Sequence, residues 1–394
     1  MYAQMSMLPK HSRAVLKPDY TKSTRQVYTE AALGILAEDK YRSLRILFHC
    51  SERSPDDCLP SWVPDWAVPK ATQETVAISG FQASGPSKSE IEFKSGVFLL
   101  VQGVSTSTVV EVSGQVTPGP RFEDVVSVWS SWAQPESYKQ SYYAGGTLFD
   151  AYCSTLVCGN LPERFKDWSS PRYSNLLPSL NMARIMFRDS REQDPERSRH
   201  RRQEQYAEEC AQNDEEVKHF IARQFHECEG RTISHTGGRR FFTTVEGHIG
   251  LGPAELQAED DICVFLGLDF PVALRPAGND QFRVIGCCYV PGLMDGEALL
   301  GPLPKSQVVQ YQTVILAEGK IGGVGVFFID RETKLKTQED PRLWELPARW
   351  TSYYDERGQL RFKKAGGGST SRDPRLTSEE LKKHGVEMQT FRLV

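Results

Sequence analysis

Apolar positions along the chain change period several times, and each change marks a different kind of element. Val27, Ala31 and Ile35, with Tyr28, Ala32 and Leu36 beside them, recur every four residues and predict a helix over 24–37. Ser23 and Gln26 stand at its start as a capping box, each side chain serving the other's backbone N–H. Leu44–Phe48 is a short apolar run suited to a buried strand. Ile91–Phe93, Val97–Val101 and Thr108–Val112, parted by Gly96 and Gly103, predict a small β-meander. Over Phe122–Leu161 the spacing returns to three and four, with Phe122, Val125, Val126, Trp129 and Trp132 as a core-facing stripe.

From Arg239 onward the pattern is β. Arg240–Val245, Ile262–Leu266, Val272–Arg275, Phe282–Ile285 and Cys287–Val290 are short strands between tight turns, which predicts a small β-barrel. Gly250-Leu-Gly-Pro253 reads as a turn between strands. It lacks the Lys-Ser/Thr of a P-loop and the strand–helix setting of a dinucleotide site. Thr377-Ser-Glu-Glu380 is a second capping box, followed by a short helix and the apolar tail Phe391–Val394. The fold class is therefore α+β. A disordered tail at 1–17 precedes an α+β segment at 18–120, a helical region at 121–237 and the barrel at 238–300. Two small β-rich units at 301–344 and 345–376 and a closing helix and tail at 377–394 complete the chain.

Leu59-Pro-Ser-Trp-Val-Pro-Asp-Trp66 breaks every one of these periods. Two prolines, with Pro69 just beyond, exclude a helix interior or a central strand. Trp62 and Trp66 carry too much apolar surface to be left in water. The segment is a loop that packs, with Trp62, Pro64, Asp65 and Trp66 as its structural signature and with the helix at 24–37 as what it pins.

Charge and composition narrow the function classes. With 47 basic and 51 acidic residues the net charge is -4, which predicts no general attraction to nucleic acid or to an anionic membrane. Arg197, Arg199, Arg201 and Arg202 lie in the polar stretch 188–218 among ten acidic residues, and predict a solvated helix face or exposed loop. No apolar run approaches the ~20 residues needed to cross a bilayer. Nine cysteines without a Cys-x-x-Cys pair point to reduced thiols and a cytoplasmic protein, with the nucleus as the other compartment of that kind.

The residues with catalytic or ligating chemistry form no recognised pattern. Cys210, His219, His226 and Cys228 follow one another at intervals of nine, seven and two, which fit no zinc arrangement. His49 and Cys50 are adjacent, so on a strand they face opposite ways. Asp295 and Glu297 place two carboxylates beside the barrel exit, where solvation or capping accounts for them. No catalytic residue, metal or cofactor is expected. An enzyme would require a deep pocket that brings Cys263, Cys287 or Asp295 to a histidine.

The last quarter is a duplication. Leu303-Pro-Lys-Ser-Gln307, Phe327-Phe-Ile-Asp330 and Glu339-Asp-Pro-Arg-Leu343 recur as Leu346-Pro-Ala-Arg-Trp350, Arg361-Phe362 and Arg372-Asp-Pro-Arg-Leu376. Each copy resembles a WW domain, the three-stranded binder of proline-rich peptides. The second copy keeps Leu346, Pro347, Trp350, Phe362 and Pro374, of which Trp350, Phe362 and Pro374 match the family's folding core. The tryptophan that stacks on ligand in that family aligns with Gln338 in the first copy and Ser371 in the second, and Gln307 replaces the structural tryptophan. The resemblance thus implies two degenerate structural units, with peptide binding through the tandem as the alternative.

Read together, several phrases resemble the C-terminal portion of fungal heterokaryon-incompatibility (HET) domain proteins. They are Pro18-Asp-Tyr-Thr-Lys-Ser23, Val27-Tyr-Thr-Glu30, Leu59–Trp66, Gly238-Arg-Arg-Phe-Phe242, Gly250-Leu-Gly-Pro253, Tyr289-Val-Pro-Gly-Leu-Met-Asp-Gly-Glu-Ala298 and the two Asp-Pro-Arg-Leu tails. In that family such a segment follows the HET domain, which triggers programmed cell death on non-self contact. Only 17 residues precede Pro18 here. The resemblance therefore implies a truncated chain, an accessory or regulatory region without the effector domain and without enzymatic activity, whose protein partner the sequence leaves unnamed.

Overall fold

A computed structural model describes residues 19–38, 43–51, 53, 59–68, 80–94, 98–133, 138–159, 164, 183–186, 195–211, 214–315 and 321–394. The tail expected to be disordered at 1–17 lies outside them. Helix α1 (Thr24–Glu38) begins at the capping box: the Ser23 N–H donates to Gln26 Oε1 at 2.9 Å, and the Gln26 N–H donates to Ser23 Oγ at 3.3 Å. Ala32 and Leu36 on its inner face are buried. The run expected as a strand at 44–48 is instead a 3-10 helix, Ser43–His49. Five apolar residues carry too little period to separate a buried strand from a buried helical turn, and Leu44, Ile46 and Leu47 are all buried.

Strands β1 (Ile91–Lys94) and β2 (Phe98–Val112) form an antiparallel hairpin. The expected meander is corrected, because its second and third strands are one. Gly103 does not end that strand. A Cβ there would lie 2.5 Å from the Val264 carbonyl and 2.7 Å from the Phe265 ring, so the glycine serves the close approach of a neighbour. Register shifts at Ser105/Ser107 and Val109/Glu111 bend β2, and its two halves meet different partners.

The remaining strands are β3 (Arg239–Thr244), β4 (Ile249–Pro253), β5 (Asp261–Phe265), β6 (Val272–Pro276), β7 (Gln281–Cys287), β8 (Gln307–Ile315), β9 (Ile321–Asp330), β10 (Lys336–Thr337), β11 (Trp350–Tyr354), β12 (Leu360–Lys364), β13 (Ser369–Thr370) and β14 (Gln389–Leu393). Pairing runs antiparallel through β2, β5, β6 and β7, then parallel from β7 to β14, and antiparallel from β14 back to β2. The sheet closes on itself. Its closure uses β2 and the C-terminal β14, which lie far outside the 238–300 span expected to supply every strand. The other half of β2 pairs with β3 and β3 with β4, while Leu251 of β4 bridges Tyr289 just past β7.

Two further expectations change here. Gly250–Pro253 is strand β4 rather than a turn, and Cys287–Val290 adds only the bridge at Tyr289. A Cβ on Gly250 would come within 2.5 Å of the Phe242 ring and 2.6 Å of the Tyr289 carbonyl, so this glycine too is a packing requirement.

The helical middle contains α2 (Phe122–Trp132), α3 (Leu148–Leu156), α4 (Pro195–Ala211) and α5 (Glu215–Thr236). The single helical stretch expected over 122–161 is two helices, with a loop over 138–147 between them. Their aromatics join the sheet's core: Trp132 stacks on Phe241 of β3 at 5.1 Å and meets Tyr152 edge-on at 4.9 Å. Asp214 caps α5 by accepting from the N–H groups of Glu216 and Val217. Helix α4 is not solvated all round. Arg199 is only 7% exposed, lies 4.4 Å over the Phe122 ring and sits within 3.9 Å of Glu123 and Glu229. Among the described residues no helix is long and apolar enough to cross a membrane.

Two three-stranded antiparallel sheets, β8–β9–β10 and β11–β12–β13, form the repeated units. Their equivalence is detailed. Phe328 lies opposite Thr337, and Phe362 opposite Thr370. The Glu339 N–H donates to Thr337 Oγ1 and the Arg372 N–H to Thr370 Oγ1, both at 3.0 Å. In each Asp-Pro-Arg-Leu tail the arginine binds the aspartate two residues earlier through its backbone N–H, Nε and Nη2. Helix α6 (Glu297–Leu300) precedes the pair, and α7 (Ser378–Lys383), capped by Thr377, follows it.

Candidate functional site

The tryptophan loop is placed by backbone carbonyls and one guanidinium. Arg53 donates to the carbonyls of Leu59, Pro60 and Val63, at 3.4, 2.8 and 2.7 Å. Ser61 accepts from the Val284 N–H at 2.9 Å through Oγ, while its own N–H donates to the Val394 carbonyl at 2.7 Å. The loop is thereby sewn to β7 and to the chain's last residue. Trp62 is fully buried among Leu36, Leu47, Val101 and Phe391, whereas Trp66 leaves 36% of its surface exposed and meets Tyr28 edge-on at 5.2 Å. Pro64 and Asp65 are buried, and Asp65 accepts from the Ala67 N–H at 3.0 Å. Nothing in the spacing of Arg53 marks it as the clamp.

In the second unit Phe362 and Pro374 are buried and Trp350 is half-buried at the start of β11. Gln338, which the sequence resemblance aligns with the ligand-stacking tryptophan of a WW domain, bonds across to the second unit. Its amide donates to the Gly358 carbonyl at 2.6 Å and accepts from the Leu360 N–H at 2.9 Å. Ser371 is exposed.

A cleft of about 850 Å³ opens between the closed sheet, the turn at 143–146, α6 and the first unit. Its floor is an ion pair. Arg164 donates to both carboxylate oxygens of Asp295, at 2.9 and 2.7 Å, and packs 4.6 Å over Phe81 and 5.1 Å over Tyr311. The Tyr311 hydroxyl adds a third donor to Asp295 at 3.2 Å. Glu297 Oε2 accepts from the Asp295 N–H at 2.6 Å, and burial next to Asp295 pushes the Glu297 carboxyl up to about 7. Arg342 reaches the same floor from the first unit, donating to the Asp295 carbonyl at 2.7 Å.

Tyr143 and His248 stand at the rim, stacked at 4.2 Å, and the Tyr143 hydroxyl donates to the Pro291 carbonyl at 2.8 Å. Burial lowers the His248 pKa, which keeps the ring neutral. The cleft therefore brings Asp295, Glu297 and a histidine to one place, a grouping that sequence spacing could not reveal because His248 comes from the β3–β4 turn. Cys263 and Cys287 do not join them: both are buried, and burial raises both thiols well above their ordinary value. His219, His226 and Cys228 all fall on α5, with Cys228 turned into the core, and no group of three metal-binding side chains occurs among the described residues. The eight described cysteines are free thiols.

The architecture at this site is a closed sheet beside a helical pair, with a mixed-charge cleft that meets the condition set above for a catalytic pocket, Asp295 and a histidine in one place. The comparisons agree with the resemblance in the sequence. Residues 172–301 match the Het-6 beta-barrel domain, a stretch that carries α4, α5, β3 to β7 and α6. Over 328 residues, 72% of this chain and 46% of the relative, the chain is 26% identical to Heterokaryon incompatibility protein 6, OR allele, of Neurospora crassa. It thus spans about half the length of that curated relative. No solved structure matches.

Proposed function

We propose that the chain is a non-catalytic accessory region of a heterokaryon-incompatibility protein, acting in the cytoplasm in non-self recognition alongside a HET effector domain that carries the cell-death activity. The recognition surface is the cleft over Asp295. The observation that carries this reading is the commitment of that carboxylate: both oxygens accept from Arg164, and its main-chain N–H and carbonyl are bonded as well. A general base needs a free lone pair directed at substrate, and Asp295 offers its pairs to the scaffold. Assay of the purified chain for NAD turnover tests the reading, and turnover above the level of a heat-denatured sample overturns it.

The two repeated units are proposed as structural. Proline-peptide recognition requires an aromatic groove, and the position that would supply it in the first unit, Gln338, is spent on the bond to the second. Titration of proline-rich peptides into the chain, followed by tryptophan fluorescence, separates the readings. A saturable change lost in Trp350→Phe would favour the peptide binder.

A further inference from the structure

Resting on the proposal that the cleft is a recognition surface, the geometry points to a ligand of definite chemistry. Lys305 and Arg331 both line the wall contributed by the first unit, and the Arg331 N–H donates to the Ser306 carbonyl at 2.7 Å, which joins the two segments that carry them. Neither side chain has an ion-pair partner among the described residues. The turn at 143–146 also lines the cleft, and there the N–H groups of Ala144 and Gly146 likewise lack an acceptor. The floor adds no net charge where Asp295 and Arg164 cancel. Tyr143, 45% exposed, and Leu303 and Pro304 supply apolar surface beside these donors.

We infer that the cleft binds a small organic anion with a planar ring, its phosphate or carboxylate held by Lys305, Arg331 and the free amides of the 143–146 turn, and its ring against Tyr143. Two cations without ion-pair partners and backbone amides without acceptors on the walls of one cleft suit an anion, and an aromatic side chain on the same wall favours a flat, apolar partner. The volume of about 850 Å³ falls within the range of small-molecule pockets, ~300–1,000 Å³. Glu297 borders the same space and, protonated up to near neutral pH, presents a donor rather than a repelling charge.

Calorimetric titration of the full chain at low salt with adenosine monophosphate, benzoate and adenosine tests this. Adenosine monophosphate, benzoate or both are expected to bind saturably, and which of them does so tells a phosphate ligand from a carboxylate one. Adenosine is expected to bind about tenfold more weakly than its phosphate, and Lys305→Ala/Arg331→Ala to weaken the anion by about tenfold with an unchanged melting temperature. Tyr143→Ala should weaken the anion with a ring and leave inorganic phosphate unaffected. No saturable heat with either anion, equal affinity for adenosine and its phosphate, or indifference to the double substitution overturns the site. Chemical turnover of a bound probe would instead overturn the non-catalytic reading and leave the site standing.

Discussion

Arg375 donates from Nη1 to the backbone carbonyl of Trp344 at 2.7 Å, and Arg342 makes the same bond, at the same length, to the carbonyl of Gly301. Gly301 and Trp344 each stand two residues ahead of the Leu-Pro that opens a unit. The last loop of each unit is thus tied to the residue just ahead of its own Leu-Pro opening, and the aspartate of the Asp-Pro-Arg-Leu tail holds the guanidinium in place to do it. This explains why the tails are the best-kept part of the duplication while the strands between them differ in length.

Arg375→Ala should cost about 3–5 kcal/mol, because Arg375 and Asp373 are both 2% exposed and the substitution leaves a buried carboxylate uncompensated. Arg375→Lys should recover only part of this, since one ammonium cannot span the aspartate and the carbonyl together. Urea denaturation measures both variants, and a loss below about 1 kcal/mol for the alanine variant would show that the fork does not hold the unit.

Trp62→Ala should cost about 3–5 kcal/mol, as expected for a large ring removed from a closed core. Trp66→Ala should cost clearly less, because 36% of that ring is already in water and its main partner is Tyr28. Thermal denaturation of the two variants side by side checks the order. Equal losses would mean that the exposed ring is doing more than its packing accounts for.

Arg53→Ala should loosen the tryptophan loop without unfolding the chain. Three carbonyls lose a charged donor, which costs about 1–3 kcal/mol. The expected sign is faster limited proteolysis within 59–68, read by mass spectrometry, while far-UV circular dichroism stays unchanged.

Two buried groups give stability opposite pH dependences. Burial, with Arg239 and Arg231 nearby, pushes the His235 ring down to about 4 from its ordinary 6.5. Between those values the unfolded chain binds a proton that the folded chain does not, so stability falls as pH drops through the window. Burial beside Asp295 pushes Glu297 up from 4.5 to about 7, so there the folded chain holds the extra proton and stability falls as pH rises through that range. Urea midpoints against pH should show His235→Asn flattening the acid limb and Glu297→Gln flattening the limb toward neutrality. Unchanged slopes in both variants would assign the dependence to other groups.

Local chemistry was legible where a few neighbouring residues suffice to determine it. The capping box at Ser23, the Thr377 cap, the apolar face of α2 and that of α1 apart from Ile35, which is exposed, the packing of Trp62 and the register of the duplicated tails all follow from local spacings. Where the sequence reading departs from the structure, the deciding contact is distant in the chain. Gly103 and Gly250 look like turn residues but sit within strands, because their missing side chains make room for Phe265 and Phe242. Leu44–Phe48 looks like a strand and forms a helix, because burial removed the period that would have told them apart. The cleft was not legible at all, since Arg164, His248, Asp295 and Lys305 share no interval.

By itself, then, the sequence determined most of the helices and strands, the duplication, the proline-tryptophan loop and the resemblance to incompatibility proteins, all of which are written in local patterns. Only the tertiary structure decided that the sheet closes through β2 and β14, that Arg53 and Val394 hold the loop, and that an ion pair between Arg164 and Asp295 floors a cleft. The physical reason is one of range. Helix and turn preferences act between neighbours, whereas sheet closure, buried ion pairs and clefts depend on which surfaces the chain brings together only when the core is complete.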